Sequence, residues 1–170
     1  MPGKILIAPE YADLNGSLVF LAGPIQGAPW WQDIAMVRLA LLDPEMHIAS
    51  PRRKTEYKGE FTQVMYDEQV DWETFYLNKA AQDGVILFWC AKEAVHDCKR
   101  AYAQTTRGEL FEWKVKHEFG KGKIAVGVEN GYTGEKYIRR RFSQDCPDVK
   151  ICSSLEETCN EAVKQIVRSK

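Results

Sequence analysis

Gly84-Val85-Ile86-Leu87-Phe88-Trp89 is the stretch from which the rest of the chain is read. It has no polar side chain, so both faces of a strand here must be covered. That is the pattern of a central strand in a parallel sheet. On its N-terminal side, the spacing predicts a helix from about Tyr66 to Ala81. The polar stretch before it, Arg52 to Gln63, reads as a loop or lid. His47 to Ser50 is a short strand stopped by Pro51, and Trp30, Ile34, Val37 and Leu41 recur at helical spacing. Ser17 to Ala22 is an apolar run ended by Gly23-Pro24, a buried strand and turn. On the C-terminal side, Ala91 to Thr106 reads as polar and irregular. Glu109 to Phe119 reads as a helix with Phe111, Val115 and Phe119 on one face and Gly120 closing it. Lys123 to Val128 is a strand, Tyr137 to Phe142 a short basic helix, and Val149 to Cys152 a last strand. Ser154 with Glu157 makes a capping box. The final helix carries Leu155, Cys159, Ala162 and Ile166 in one stripe.

Strands and helices that alternate in this way imply an α/β fold. Right-handed crossovers favour a flavodoxin-like, Rossmann-like doubly wound arrangement. We expect a mainly parallel five-stranded sheet with helices on both faces, in a single domain over residues 1–170. Residues 1–16 form an N-terminal extension with a short extra strand, Ile5 to Ala8. Ligands in such sheets bind outside the carboxyl ends of the strands. Functional residues should therefore lie in Gly23 to Trp31, Pro51 to Gln63, Trp89 to Glu109 and Glu129 to Tyr132.

The 170 residues are enough to bury a sizeable core, and the formal net charge of -1 lacks the footprint of a dedicated nucleic-acid binder. No apolar run approaches the ~20 residues that span a bilayer, so no membrane partner is expected. The start, Met1 to Glu10, does not read as a secretory signal. The five cysteines show no Cys-x-x-Cys spacing and His47, His96 and His117 show no metal spacing. A reduced, cytoplasmic protein without a metal or cofactor is the expectation.

Three constellations carry chemistry. Ala22-Gly23-Pro24-Ile25-Gln26-Gly27 lets the backbone approach a ligand, but it lacks the spacing of a dinucleotide or Walker loop. Thr105 to Leu110 places Glu109 at the expected start of a helix, where the dipole would favour an ionised carboxylate able to act as a nucleophile. Asp67 to Glu73 offers a second carboxyl group, Asp71 or Glu73, as glycosyl chemistry commonly needs. Gln26, Arg52, Arg53, Thr105, Thr106 and Arg107 could hold a phosphate, and Trp30 or Trp31 could stack on a base.

The ordered set Phe20 to Pro24, Trp31, Asp71-Trp72-Glu73 ahead of Leu77, Val85 to Trp89, Gly108-Glu109-Leu110 and Lys123 to Gly127 resembles the nucleoside 2-deoxyribosyltransferase-like superfamily. That superfamily includes true deoxyribosyltransferases and nucleoside 5′-monophosphate N-glycosidases. The resemblance implies cleavage of the N-glycosidic bond of a (deoxy)nucleoside, with Glu109 attacking the anomeric carbon. Asp71 or Glu73 would assist the base. The strand-end crevice and the residue types add Ala22, Gly23, Pro24, Gln26, Trp31, Arg52 and Arg107 as the positions a substrate would lie against. The resemblance also implies a homo-oligomer in which a neighbouring subunit completes the site, with Asn130 and Tyr132 as the matching positions. The chain carries Val19 and Phe20 where relatives often have a Tyr. It has no carboxylate in Ala103 to Thr106, and Phe111 replaces a usual Gly. Transfer to a second base, hydrolysis as an N-glycosidase and non-enzymatic nucleotide binding are therefore the three readings carried forward.

Overall fold

The computed structural model describes residues 2–54 and 61–167. Strand β4, Gly84–Cys90, lies inside a six-stranded sheet in which every neighbouring pair is parallel. Its partners are β2, Leu18–Ala22, and β5, Ile124–Val128. Beyond β2 come β3, His47–Ser50, and the edge strand β1, Ile5–Ile7. Beyond β5 comes β6, Ile151–Cys152. Without β1 the order is 3-2-4-5-6, the flavodoxin-like doubly wound order. β1 is the short extra strand expected in the extension.

Alternation along the strands sorts the core into two layers. Phe20, Ile86, Phe88, Cys90, Val126 and Val128 point to one face. There they meet α2, Gln63–Asp83, α3, Gln104–Glu118, and α4, Glu135–Asp145. Val19, Leu21, Ile48, Val85, Leu87 and Trp89 point to the other, against α1, Trp31–Leu42, and α5, Leu155–Val167. Both faces of β4 are thus dry, as its sequence demands. Ser154 Oγ accepts from Glu157 N at 3.2 Å and the Glu157 carboxylate accepts from Ser153 N at 3.2 Å, which starts α5 as expected. Gly120 adopts φ +68°, and the Gly120 and Lys121 amides return to the His117 and Lys116 carbonyls, closing α3.

Two helix faces differ from the expectation. On α1 the buried side is Trp31, Ala35 and Leu39, while Ile34, Val37 and Leu41 face water. Trp31 Nε1 donates to Pro24 O at 2.9 Å, which ties the first turn of the helix to the β2 turn and sets its rotation. On α3 the buried side is Thr106, Leu110, Trp113 and Lys114, while Val115 and Phe119 are exposed. Lys114 is drawn inward by Glu118 and by Asp145 at 2.8 Å, an ion-pair cluster that a hydrophobic stripe does not register. Helix α3 also begins earlier than expected, at Gln104. Part of the expected loop Ala91 to Thr106 is therefore its first turn. Of the expected loop Arg52 to Gln63, residues 55–60 lie outside the described residues, and Gln63 begins α2 under a Thr62 side-chain cap.

Candidate active site

All strands run the same way, so the loops after β2, β3, β4 and β5 share one edge of the sheet. β2 pairs with β3 on one side and β4 on the other. The chain therefore reverses its direction of winding between β2 and β4, which opens a crevice at their carboxyl ends.

The β2 turn forms one wall. Ala22 and Pro24 are buried, and a side-chain carbon at Gly23 would sit 2.4 Å from Trp89 O and 2.6 Å from the Trp31 ring. Only glycine allows β2, β4 and α1 to meet this closely. The turn is then stitched to the loop after β4. Gly27 O accepts from Ala94 N at 2.8 Å and Val95 N at 3.0 Å, and exposed Gln26 accepts from Arg100 at 2.7 Å. Trp31 is a buried core residue whose indole N–H is already used, whereas Trp30 is half exposed.

The loop after β3 is held by arginines. Arg52 is buried, donates to Pro29 O at 3.0 Å and Gln32 Oε1 at 3.3 Å, and stacks 3.7 Å over the Trp30 ring. Arg53 donates to Gln69 Oε1 at 3.0 Å and to Glu68 at 3.1 Å. Gln69 Nε2 in turn donates to Pro51 O at 2.9 Å and Glu73 Oε1 at 2.8 Å. Gln69 thus couples the β3 loop to Glu73, one helical turn further along α2.

Glu73 and Glu109 are brought together between α2 and α3. Burial pushes the Glu109 carboxyl up to about 8, with the charges of Glu73 and then Glu112 adding to the effect. Burial also raises Glu73, and the Gln69 amide partly offsets that rise. No side-chain hydrogen bond or ion pair among the described residues reaches the Glu109 carboxyl group. The helix-dipole expectation for Glu109 is corrected: it lies in the second turn of α3, beyond the first turn where the dipole acts. Its carboxyl is accordingly raised and not lowered. Asp71 is exposed and turned away, and its charge, after burial, raises the Tyr11 hydroxyl. Of the two second-carboxylate candidates, the fold places Glu73 beside Glu109.

The loop after β4 ends at Ala103, a non-glycine residue with φ +54°. The left-handed region costs an ordinary residue ~1–2 kcal/mol. The Arg107 guanidinium, reaching back to Tyr102 O and, at 3.4 Å, to Ala103 O, holds the chain there. Arg107 also lies close enough to Cys90 and Tyr132 to act on both. Burial pushes the Cys90 thiol up to about 12, against the opposing effects of Tyr132 and Arg107, so it stays neutral. Tyr132, expected at a subunit boundary, is instead enclosed in its own protomer, packed edge-on to Tyr102 with ring centres 6.3 Å apart. Asn130 is exposed on the loop after β5.

The carboxyl pair is the chemical content of the crevice. Burial raises both carboxyl groups and the Glu73 charge raises Glu109 further, so a proton stays on the pair above the ordinary carboxylate range. One can then attack or stabilise a cation while the other donates the proton. Gln69, Gln32 and Tyr102 were not singled out from the sequence. Gln69 lies four residues before Glu73, a spacing that would have flagged it. Gln32 and Tyr102 act through contacts distant in the chain. Among the described residues, no cluster of His, Cys, Asp and Glu could hold a metal ion, and no helix is long and apolar enough to cross a membrane. The cysteines are free, and of the five only Cys98 is exposed. No family model matches the chain, and no curated protein matches it.

Proposed function

We propose that this chain is a nucleoside 2-deoxyribosyltransferase-like enzyme that cleaves the N-glycosidic bond of a (deoxy)nucleoside and passes the sugar to another base. The observation that carries the proposal is the carboxyl pair: Glu109 without a donor at the crevice, and Glu73 held beside it by Gln69. The resemblance of the ordered motifs supports the choice of bond.

The reactive form of the pair carries one proton, on Glu73. The Glu109 carboxylate attacks the anomeric carbon through an oxocarbenium-like transition state. The bond to the base breaks, its electrons leave with the base, and Glu73 supplies the proton. The developing positive charge on the sugar favours the ionised form of Glu109, which burial and Glu73 disfavour in the empty site. A second base then displaces Glu109 from the sugar, and Glu73 takes up that base's proton. The wall at Ala22, Gly23 and Pro24 confines the substrate, and Trp30, stacked on Arg52, offers a flat surface to a base.

Hydrolysis is the second reading. It is favoured by the lack of a carboxylate in Ala103 to Thr106, the stretch that leads into Glu109, where true transferases carry one for the base. The free cysteines fit a reducing compartment, and we place the protein in the cytoplasm.

The test is chromatographic. The protein is incubated with deoxynucleosides and nucleoside monophosphates, with and without a second free base. Base exchange supports transfer, and base release alone supports hydrolysis. No turnover with any substrate refutes both and leaves a binding module. Glu109→Gln must abolish whichever activity is found.

A further inference from the structure

Gln69 sits one helical turn before Glu73 on α2, the spacing at which two helical side chains meet. Its amide is fully used. The two N–H groups of Nε2 go to Pro51 O at 2.9 Å and to Glu73 Oε1 at 2.8 Å. Oε1 accepts from Arg53 Nε at 3.0 Å. A side-chain amide has two ends of the same shape, so its neighbours decide which way it lies. Turned over, this one would set its oxygen against the Pro51 carbonyl and its N–H groups against the Arg53 N–H. Like would face like at both ends. Arg53 is itself steadied by Glu68 at 3.1 Å. The loop after β3 therefore dictates that Gln69 shows Glu73 a donor and not an acceptor.

This contact has two consequences. An N–H bond to a carboxylate is stronger than one to a neutral carboxyl group, so it favours ionised Glu73. The Gln69 amide accordingly opposes the effect of burial on Glu73. The contact also occupies Oε1. A proton that enters Glu73 goes to Oε2, because the carbonyl oxygen is the better acceptor for the Gln69 N–H.

The other elements packed around Glu73 bring different chemistry. Helix α3 brings Glu109 and, beyond it, Glu112, which add negative charge and no donor. The face of β2 and β4 under α2 offers Phe20, Ile86, Phe88 and the neutral Cys90 thiol. The N-terminal extension brings Glu10, paired with Lys54 at 3.3 Å, and Tyr11, on which Asp71 and Glu68 act. Arg52 donates to Gln32 and stacks on Trp30. Among the described residues, the side-chain donor that reaches the Glu73 carboxyl is Gln69.

We infer that Gln69, fixed in orientation by Arg53 and the Pro51 carbonyl, is a positioning residue for the carboxyl pair. It keeps Glu73 ionised and the proton on Glu109 while the site is empty, and it directs the proton that Glu73 carries during turnover to Oε2. The second role rests on the proposed cleavage, and the first does not. Between the two states one O–H bond breaks on Glu109 and one forms on Glu73, so the charge of the pair is unchanged. Arg53 and Pro51 act on the chemistry through Gln69.

Carboxyl NMR of the full chain, labelled at glutamate and without substrate, tests the first role. In the wild type Glu73 should ionise before Glu109. Gln69→Met keeps the length and helix preference of the side chain but removes the N–H. The Glu73 midpoint should then rise by about one pH unit, with Glu109 still the last to ionise. Arg53→Met releases the amide and should move Glu73 the same way by less. Lys54→Met removes a cation of the same loop that pairs with Glu10, and should leave Glu73 in place. Circular dichroism checks the fold, and Arg53→Met decides by itself if Gln69→Met does not fold. For the second role, the acid limb of the kcat/KM profile should move up with Glu73 in Gln69→Met while the alkaline limb stays, which loss of packing alone would not produce. A Glu73 midpoint that stays or falls in Gln69→Met, or that moves as far in Lys54→Met as in Arg53→Met, overturns the inference. An acid limb that stays in place overturns the second role. No turnover, with a midpoint that moves as expected, overturns the proposed cleavage and supports the first role.

Discussion

Replacing Glu109 with Gln removes a charge and keeps the shape of the side chain. Burial, then Glu73 and Glu112, push the Glu109 carboxyl from 4.5 to about 8. The folded protein therefore holds this proton more tightly than the unfolded chain does. Such a group favours the fold fully below its unfolded value, and that contribution is lost as pH rises through about 8. Each tenfold gain in proton affinity is worth ~1.4 kcal/mol, which sets a ceiling of about 5 kcal/mol. Water at the crevice screens the charge, so a response of ~2 kcal/mol is the working figure. Urea unfolding of wild type and Glu109→Gln, from about pH 5 to about pH 9, isolates the effect as a difference. At the acid end both side chains are neutral in the folded state and the difference is at its smallest in this window, because the unfolded carboxyl begins to ionise only near 4.5. At the alkaline end the variant gains ~2 kcal/mol relative to wild type, and the proposed glycosidic cleavage should be lost. A difference that does not change with pH would refute the reasoning, because Glu109 would then titrate as an ordinary solvated carboxyl.

Glu73→Gln removes the larger of the two charges that raise Glu109, so the Glu109 titration should move to lower pH, as read by carboxyl NMR. Turnover should fall by ~10²–10⁴, the usual contribution of a general acid, and an unchanged rate would remove Glu73 from the mechanism. Asp71→Asn should leave turnover within about twofold and lower the Tyr11 hydroxyl pKa, because Asp71 acts on Tyr11 and not on the crevice. Gly23→Ala drives a carbon to 2.4 Å from Trp89 O, and backbone on one side and a buried ring on the other leave little room to move. It should cost ~1–3 kcal/mol or more in urea unfolding, and a variant as stable as wild type would show that the turn yields readily.

Much of the fold is legible in the chain because strands report their burial directly. Val85 to Trp89 has no polar position, and β4 is dry on both faces. Pro51 and the pair Gly23-Pro24 end β3 and β2 where backbone chemistry requires it. The α5 stripe is also read correctly, since the rest of that helix is strongly polar. α1 is different. Both of its sides are apolar, so the pattern cannot say which one turns inward, and the Trp31–Pro24 hydrogen bond decides. On α3 a buried lysine takes a core position because Glu118 and Asp145 neutralise it, and Asp145 comes from another helix.

At the candidate site, residue type and order in the chain singled out Glu109, the Gly23 turn and two possible second carboxyl groups. A charge cluster on a helix does not reveal its own orientation. Asp71 and Glu73 differ by two residues, about 200° around α2, and only the packing of α2 on β2 and β4 turns Glu73 inward. Desolvation likewise depends on which helices close over a group, so the direction in which the Glu109 carboxyl moves was beyond sequence reading. By itself the sequence determined the strands, their shared carboxyl edge and the glycine turn, because these follow from local patterns and backbone sterics. The tertiary structure decided which face of each helix is buried, which carboxyl group acts on Glu109 and in which direction the Glu109 carboxyl moves, because these depend on contacts between residues far apart in the chain.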